Sequence, residues 1–326
     1  MGAFLTRLYR DGALVEENFP PEEVGDRLDR DDQTFAWLDI CRPEERDLRL
    51  LAEKLGMHEL ALEDVVQQAQ RAKLDRYDTH LFLNTYMVRL EASGGLEDVE
   101  VSAFIKPRVL VTVRYDEGFD ISQVLARWDE GAELARYGVA FLLHGLLDTL
   151  IDGHFAAVQQ LDASLEQVQD AMFHRQAMNR NEVQKRIFLA RRDLVRLRQV
   201  TLPMREVVNA LMRPTMHAVD TEMLPYYQDL YDHVLRVIEW SESLRDLDTT
   251  MLETNLTLQN NQLNLIVKQV TGWAAIIAVP TAVTGFFGQN LAFPWRHTHG
   301  EFIVSLVATF GLAIALYLVF RKKEWI

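Results

Sequence analysis

The chain is poor in cysteine. Of 326 residues only Cys41 is one, which excludes an internal disulfide and any zinc site built on a cysteine cluster. It is also short of positive charge: Lys plus Arg is 34 against 48 Asp plus Glu, a formal net charge of −14. A nucleic-acid binder would need a basic face to replace phosphate counterions, so no nucleic-acid partner is expected. An acidic chain suits the handling of cations, or plain solubility. No G-x-x-x-x-G-K-[ST] and no strand-borne G-x-G-x-x-G occurs, so neither a built-in nucleotide motor nor a dinucleotide site is expected. No spacing suggests a nucleophile with its base, and the expectation is that the protein is not an enzyme. The N-terminus lacks a long apolar run, so no cleavable signal is expected. The myristoylation pattern at Gly2 and Thr6 runs into a strand-like AFLTRLYR and reads as coincidence.

What is present is an uneven distribution of apolar residues, which the mean hydropathy of −0.08 conceals. From Gln269 to Trp295 there is no charged side chain, and from Phe302 to Phe320 again none. The second stretch, FIVSLVATFGLAIALYLVF, spans about 29 Å as a helix, close to the hydrocarbon thickness of a bilayer. The first is softer, with Thr271, Thr281, Thr284 and Pro280, residues that a membrane helix tolerates best against a neighbour or a watery lumen. The joint between them holds one basic residue, Arg296, whereas Arg321, Lys322 and Lys323 follow the second. Positive charge marks the cytoplasmic side. Two crossings return the chain to its starting side, so both termini are expected in the cytoplasm and the protein in the inner cell membrane.

The residues before the first crossing divide in two. TFAWLDI (34–40), HLFLNTYMVRL (80–90), VSAFIK (101–106) and VLVTVRY (109–115) are rich in β-branched and aromatic residues and read as strands. Pro43 to Leu55 and Glu59 to Val66 read as helices, the first closed by Gly56, and SGG at 93–95 as a hairpin turn. After Gly138 the pattern is helical. Phe141 to about Phe173 and Arg180 to about Leu211 are long amphipathic runs, and from Tyr226 to Phe287 only Pro280 argues for a break. A helix over 226–287 would be about 93 Å long and could not bury its face alone, which implies copies of itself around an axis. The expected fold class is an α+β membrane protein. Its parts are an N-terminal cytoplasmic α/β domain (1–135), a helical stalk (136–268), a first transmembrane helix (269–290), an outer loop (291–301), a second transmembrane helix (302–320) and a basic tail (321–326).

One stretch carries a resemblance. Asn264-Leu-Ile-Val-Lys268-Gln-Val-Thr271 leads into an apolar helix that ends Gly285-Phe-Phe-Gly288-Gln289-Asn290, followed by a short loop and a last helix with a basic tail. This resembles the CorA family of divalent-cation channels, marked by Gly-Met-Asn at the outer end of the first transmembrane helix. The likeness extends upstream through LPYYQDLYDH (224–233), LPMREVVNALMR (202–213) and LEDVVQQAQRAKLD (62–75). The resemblance implies a homopentameric funnel in the lipid bilayer, with five first helices lining a pore and Mg²⁺ as both cargo and regulator. It makes Gly288, Gln289 and Asn290 the selectivity filter and places Asn264, Val267 and Val270 along the pore, the valines as an apolar gate. It further implies a cytoplasmic Mg²⁺ sensor of acidic residues, matched by Glu63, Asp64 and Asp229, with Asp152 a weaker match. Mg²⁺ dehydrates reluctantly, and neutral oxygens at a filter could hold its hydrated form weakly enough to release it.

Two departures stand out: Gln289 replaces the Met of the motif, and the loop reads FPWRHTHGE, with His297 and His299. The zinc-transporting ZntB branch also varies the middle residue, and imidazole suits Zn²⁺, Ni²⁺ or Cu²⁺ better than Mg²⁺. Mg²⁺ with Co²⁺ or Ni²⁺ as passengers is the first reading and Zn²⁺ the alternative. A cytosolic scaffold or enzyme tethered by the helix pair is a third.

Overall fold

A computed structural model describes residues 3–68, 70–91, 95–173, 180–289 and 299–326. The chain forms two compact units, Met1–Thr249 and Thr250–Ile326.

The first unit is built on a seven-stranded sheet. Its strands are β1 (Ala3–Arg10), β2 (Ala13–Glu17), β3 (Thr34–Cys41), β4 (Lys73–Arg76), β5 (Leu81–Leu90), β6 (Leu96–Lys106) and β7 (Val109–Arg114), in the order β2-β1-β3-β7-β6-β5-β4. All neighbours are antiparallel except β3 and β7, which pair in parallel with Leu38 opposite Val111. A parallel pair needs a long crossover, and here everything from residue 42 to residue 108 lies between the two strands. Helices α1 (Val24–Leu28), α2 (Glu45–Leu55) and α3 (Glu59–Gln67) cover one face. They bury Val24, Leu48, Leu51, Ala61 and Val65 against Leu38, Ile40, Val111, Val113, Phe82 and Phe104. Every residue of β3 is buried, as befits a strand with both faces covered. α2 opens at Glu45, two residues after the expected Pro43, where the Glu44 N–H donates to the Asp47 carboxylate at 3.0 Å, and Gly56 closes it, as expected, at φ 62°.

The other face carries α4 (Ser122–Glu130), α5 (Val139–Phe173) and α6 (Arg180–Leu211). Trp37 of β3 meets Trp128 of α4 edge-on at 5.0 Å and donates from Nε1 to Thr112 at 3.1 Å. α5 approaches its neighbours so closely that two positions require glycine. A Cβ on Gly145 would stand 2.5 Å from the Trp128 ring, and one on Gly153 3.0 Å from the Val88 carbonyl of β5. Beside Gly153, His154 is wholly buried. Its Nε2 meets the Tyr86 carbonyl at 2.8 Å and its Nδ1 the Thr201 hydroxyl at 3.3 Å, tying β5, α5 and α6 together. A buried ion pair, Arg114 with Asp39 at 2.7 Å, links the parallel strands on this side.

Helix α7 (Leu224–Phe287) carries Pro280 without a break, and α8 runs from His299 to Lys322. The first turns of α7 pack on α5: Tyr227 donates to the Ala140 carbonyl at 2.9 Å, and Trp240 meets Phe155 edge-on at 5.4 Å. Among the described residues three helices, α5, α7 and α8, are long and apolar enough to cross a membrane. That of α5 is mostly buried, against the sheet and α6, whereas the apolar stretches of α7 and α8 are almost wholly exposed. The expected strands and helices are all present. β6 starts at Leu96 rather than 101, and residues 93 and 94 of the expected turn lie outside the described residues. Sequence reading did not find β2, β4, α1 or α4.

Candidate ion pathway and carboxylate clusters

The second unit pairs the last part of α7 with α8. On α7 the sheltered positions are Gly272, Ala275, Ile276, Val279, Pro280, Val283 and Phe287; on α8 they are Ser305, Ala308, Thr309, Ala313, Leu316, Tyr317 and Phe320. Each set recurs at three and four residues, one face of a helix. Trp273 meets Tyr317 at 6.4 Å, and a Cβ on Gly272 would stand 3.2 Å from Ile326, so Gly272 lets the chain end lie close.

At 3.6 residues per turn, the face of α7 turned away from α8 runs through Val267, Ala274, Ala278, Thr281 and Gly285. It is uncharged and lined by small side chains. Val270 lies on the same side and Asn264 at its edge; Val267 and Val270 are 61% and 63% exposed. α7 is closed by the Gly288 N–H donating to the Thr284 carbonyl at 2.8 Å and the Gln289 N–H to the Phe286 carbonyl at 3.3 Å. The Thr284 hydroxyl donates back to the Pro280 carbonyl at 2.8 Å, while the proline, lacking an N–H, leaves the Ile276 carbonyl one turn earlier without its usual helical partner. Gly288 and Gln289 are exposed. Asn290 and His297 lie outside the described residues, as does the side chain of His299.

In the first unit the four candidate carboxylates fall into two groups. Glu63 and Asp64 are neighbours on α3. Glu63 is exposed and accepts from the Gln67 amide at 2.7 Å. Asp64 is held by Lys73 of β4 at 2.6 Å, which also reaches Asp75 at 2.9 Å. Burial opposes the Lys73 charge, but its bonds to Asp64 and Asp75 outweigh this and hold its pKa above the ordinary value. Asp152 of α5 and Asp229 of α7 belong to a second cluster. Arg127 of α4 pairs with both Asp152 and Asp148, and Asp229 stands 3.8 Å from His233. Burial lowers the pKa of His144 and raises that of Asp148, each opposed by the other's charge. His144 also feels Asp229, and Asp148 feels Asp152 and His233. Sequence reading missed Arg127, His144, Asp148 and His233. The signal was the four-residue spacing of His144 with Asp148 and of Asp229 with His233, which puts each pair on one helical face. Among the described residues, no three His, Cys, Asp or Glu side chains of a single chain are grouped to hold a metal ion.

An α/β/α unit followed in the chain by a pair of long, apolar, exposed helices defines a membrane protein. The chain matches the family of CorA-like Mg²⁺ transporter proteins over residues 32–322 and belongs to it. It is 28% identical over 310 residues to a putative metal ion transporter, YfjQ, of Bacillus subtilis, covering 95% of this chain and 94% of that one. It is 26% identical over 302 residues to the cobalt/magnesium transport protein CorA of Thermotoga maritima, covering 91% and 85%. Its fold is similar to the complete CorA magnesium transporter of Methanocaldococcus jannaschii, with a TM-score of 0.78 at 21% identity, covering 99% and 98% of the two chains.

Proposed function

We propose that the protein is a channel-like transporter that carries Mg²⁺, with Co²⁺ or Ni²⁺ as lesser cargo, into the cell down the membrane potential. The observation that carries this reading is the face of α7 turned away from α8: uncharged, small-residue, and ending at Gly288-Gln289. One such helix encloses nothing. Five copies around an axis, with the α8 helices outside toward lipid, would enclose a lumen lined by Val267, Val270, Ala274, Ala278, Thr281 and Gly285. Asn290, with Gln289 and the Gly288 carbonyl, forms the outer mouth, and Asn264 a polar ring inside it. Neutral oxygens there bind a hydrated dication without stripping it. No ATP is needed, because a dication gains about 4.6 kcal/mol crossing 100 mV. In this arrangement residues 1–135 and 136–268 are the cytoplasmic domain and stalk, 269–290 and 302–320 the two crossings, 291–301 the outer loop, and 321–326 a cytoplasmic tail. Glu63, Asp64, Asp152 and Asp229 serve as the sensor: carboxylates of adjacent subunits repel until Mg²⁺ bridges them and favours the closed pentamer.

Ion uptake into proteoliposomes at an imposed inside-negative potential tests the reading. Mg²⁺ uptake follows voltage in the wild type and is abolished in Asn290→Ala. Zn²⁺ uptake driven by a proton gradient would assign the chain to zinc transport instead, and no flux of either ion would overturn both.

A further inference from the structure

One buried acid takes no part in the site above. Asp248 of α7 is 1% exposed, and neither carboxylate oxygen has a hydrogen-bond partner among the described residues. It sits in the seam between three long helices whose registers are fixed by side-chain contacts. α5 runs parallel to α7, with Ala140 bonded to Tyr227 and Phe155 against Trp240. α6 runs antiparallel to both, with Thr201 meeting His154 and Arg198 pairing with Glu242 at 3.4 Å. Two turns beyond Glu242 on α7, and two turns before Arg198 on α6, Asp248 therefore comes level with Arg191.

The charged groups around it are few. From α6, Arg191 is the one whose charge reaches Asp248, while Arg192 is engaged by Asp193 at 2.9 Å. From α5 the same register brings Asp162, a second acid and not a counter-charge, to this level. On α7 itself Arg245 is held by Asp246 and Glu242. Its neighbours along the buried stripe of α7, Leu244 and Met251, are apolar.

We propose that Asp248 is a proton-operated switch in the stalk: the α5–α6–α7 seam closes around its neutral carboxylic acid, and ionisation of that acid loosens the seam. A neutral acid can lie among apolar side chains at modest cost, whereas a bare carboxylate there has lost its water and gained no hydrogen bond. Burial raises the pKa of this carboxyl and Arg191 opposes the rise. The folded chain thus binds a proton that the unfolded chain has released, and the packing weakens as pH rises from the ordinary carboxyl value of 3.8 through the raised one. The inference is independent of which ion the protein carries, and its test uses no flux.

The test compares full-length wild type with Asp248→Asn, which keeps the shape and cannot ionise. The apparent Tm of the variant is close to that of the wild type near pH 4. Its advantage then widens by about 3 °C as pH rises and levels off above the raised pKa. An advantage that is the same at every pH would overturn the proposal. So would a variant less stable than wild type at pH 8, since Arg191 would then be holding an ionised carboxylate. Hydrogen exchange of the wild type alone supplies a second reading that needs no variant to fold. Corrected for intrinsic chemistry, amides at 187–195 and 244–252 lose protection as pH rises over the same window. Protection independent of pH would equally overturn the proposal.

Discussion

His154 ties β5, α5 and α6 together, and its chemistry is fixed by having no exposure at all. Burial pushes its pKa down to about 4, with the Tyr86 carbonyl opposing the shift. The folded chain keeps the ring neutral while an unfolded chain protonates it near 6.5. Between pH 6.5 and pH 4 the unfolded state therefore binds more protons. The stability that His154 contributes is full above pH 6.5 and is lost as pH falls through that window, by about 3 kcal/mol. His154→Gln can still donate to the Tyr86 carbonyl but does not titrate. Its unfolding free energy is expected to lie below wild type at pH 7.5 and to close the gap by pH 4.5. A gap of constant size would mean that the ring acts only through packing. Asp248 titrates with the opposite sign, so each effect is read as a difference between wild type and its own variant.

At the scale of elements, the fit of α5 to the sheet rests on what two glycines leave out. At Gly145 the Trp128 indole occupies the space of a side chain and donates from Nε1 to the Leu142 carbonyl at 3.1 Å. Gly145→Ala gains helix propensity by at most about 1 kcal/mol, but it forces the indole away from Leu142 and from Trp37. A net loss of about 1–3 kcal/mol in unfolding free energy follows from overpacking a filled core, and equal or greater stability would show that Trp128 can move freely. This seat was not legible in the sequence, because a glycine in a helical run looks the same whether a neighbouring ring or empty space lies beside it. β2 and β4 were missed for a related reason. Only Leu14 and Val15 of β2, and Leu74 of β4, carry strand character, and both are edge strands, where pairing rather than composition makes the strand. β3, β5, β6 and β7 were legible because burial on both faces demands continuous β-branched and aromatic runs. The helix pair was legible because a charge gap that long has few other uses. Of the candidate site, sequence reading supplied Gly288, Gln289 and the carboxylates. It could not supply Arg127, which comes from α4 and meets Asp148 and Asp152 only through the fold.

At the scale of the whole molecule, the carboxylates of the proposed sensor are partly compensated within one chain, and this decides what their removal does. Asp64 is balanced by Lys73 at 2.6 Å and Asp152 by Arg127, while Asp229 is exposed to solvent. Surface pairs of this kind contribute about 0–1 kcal/mol to folding, so Asp64→Asn with Asp229→Asn should leave thermal unfolding almost unchanged. Assembly is different. In a ring of copies, repulsion between facing carboxylates is relieved only by a bridging cation, and amides neither repel nor recruit one. The double variant should therefore conduct in the replete state, with uptake persisting at millimolar internal Mg²⁺, where the proposed sensor would close the wild type. Flux into vesicles preloaded with Mg²⁺ measures this directly. Shut-off in the variant at the same internal concentration as in the wild type would remove these residues from the sensor, while leaving the pore along α7 untouched.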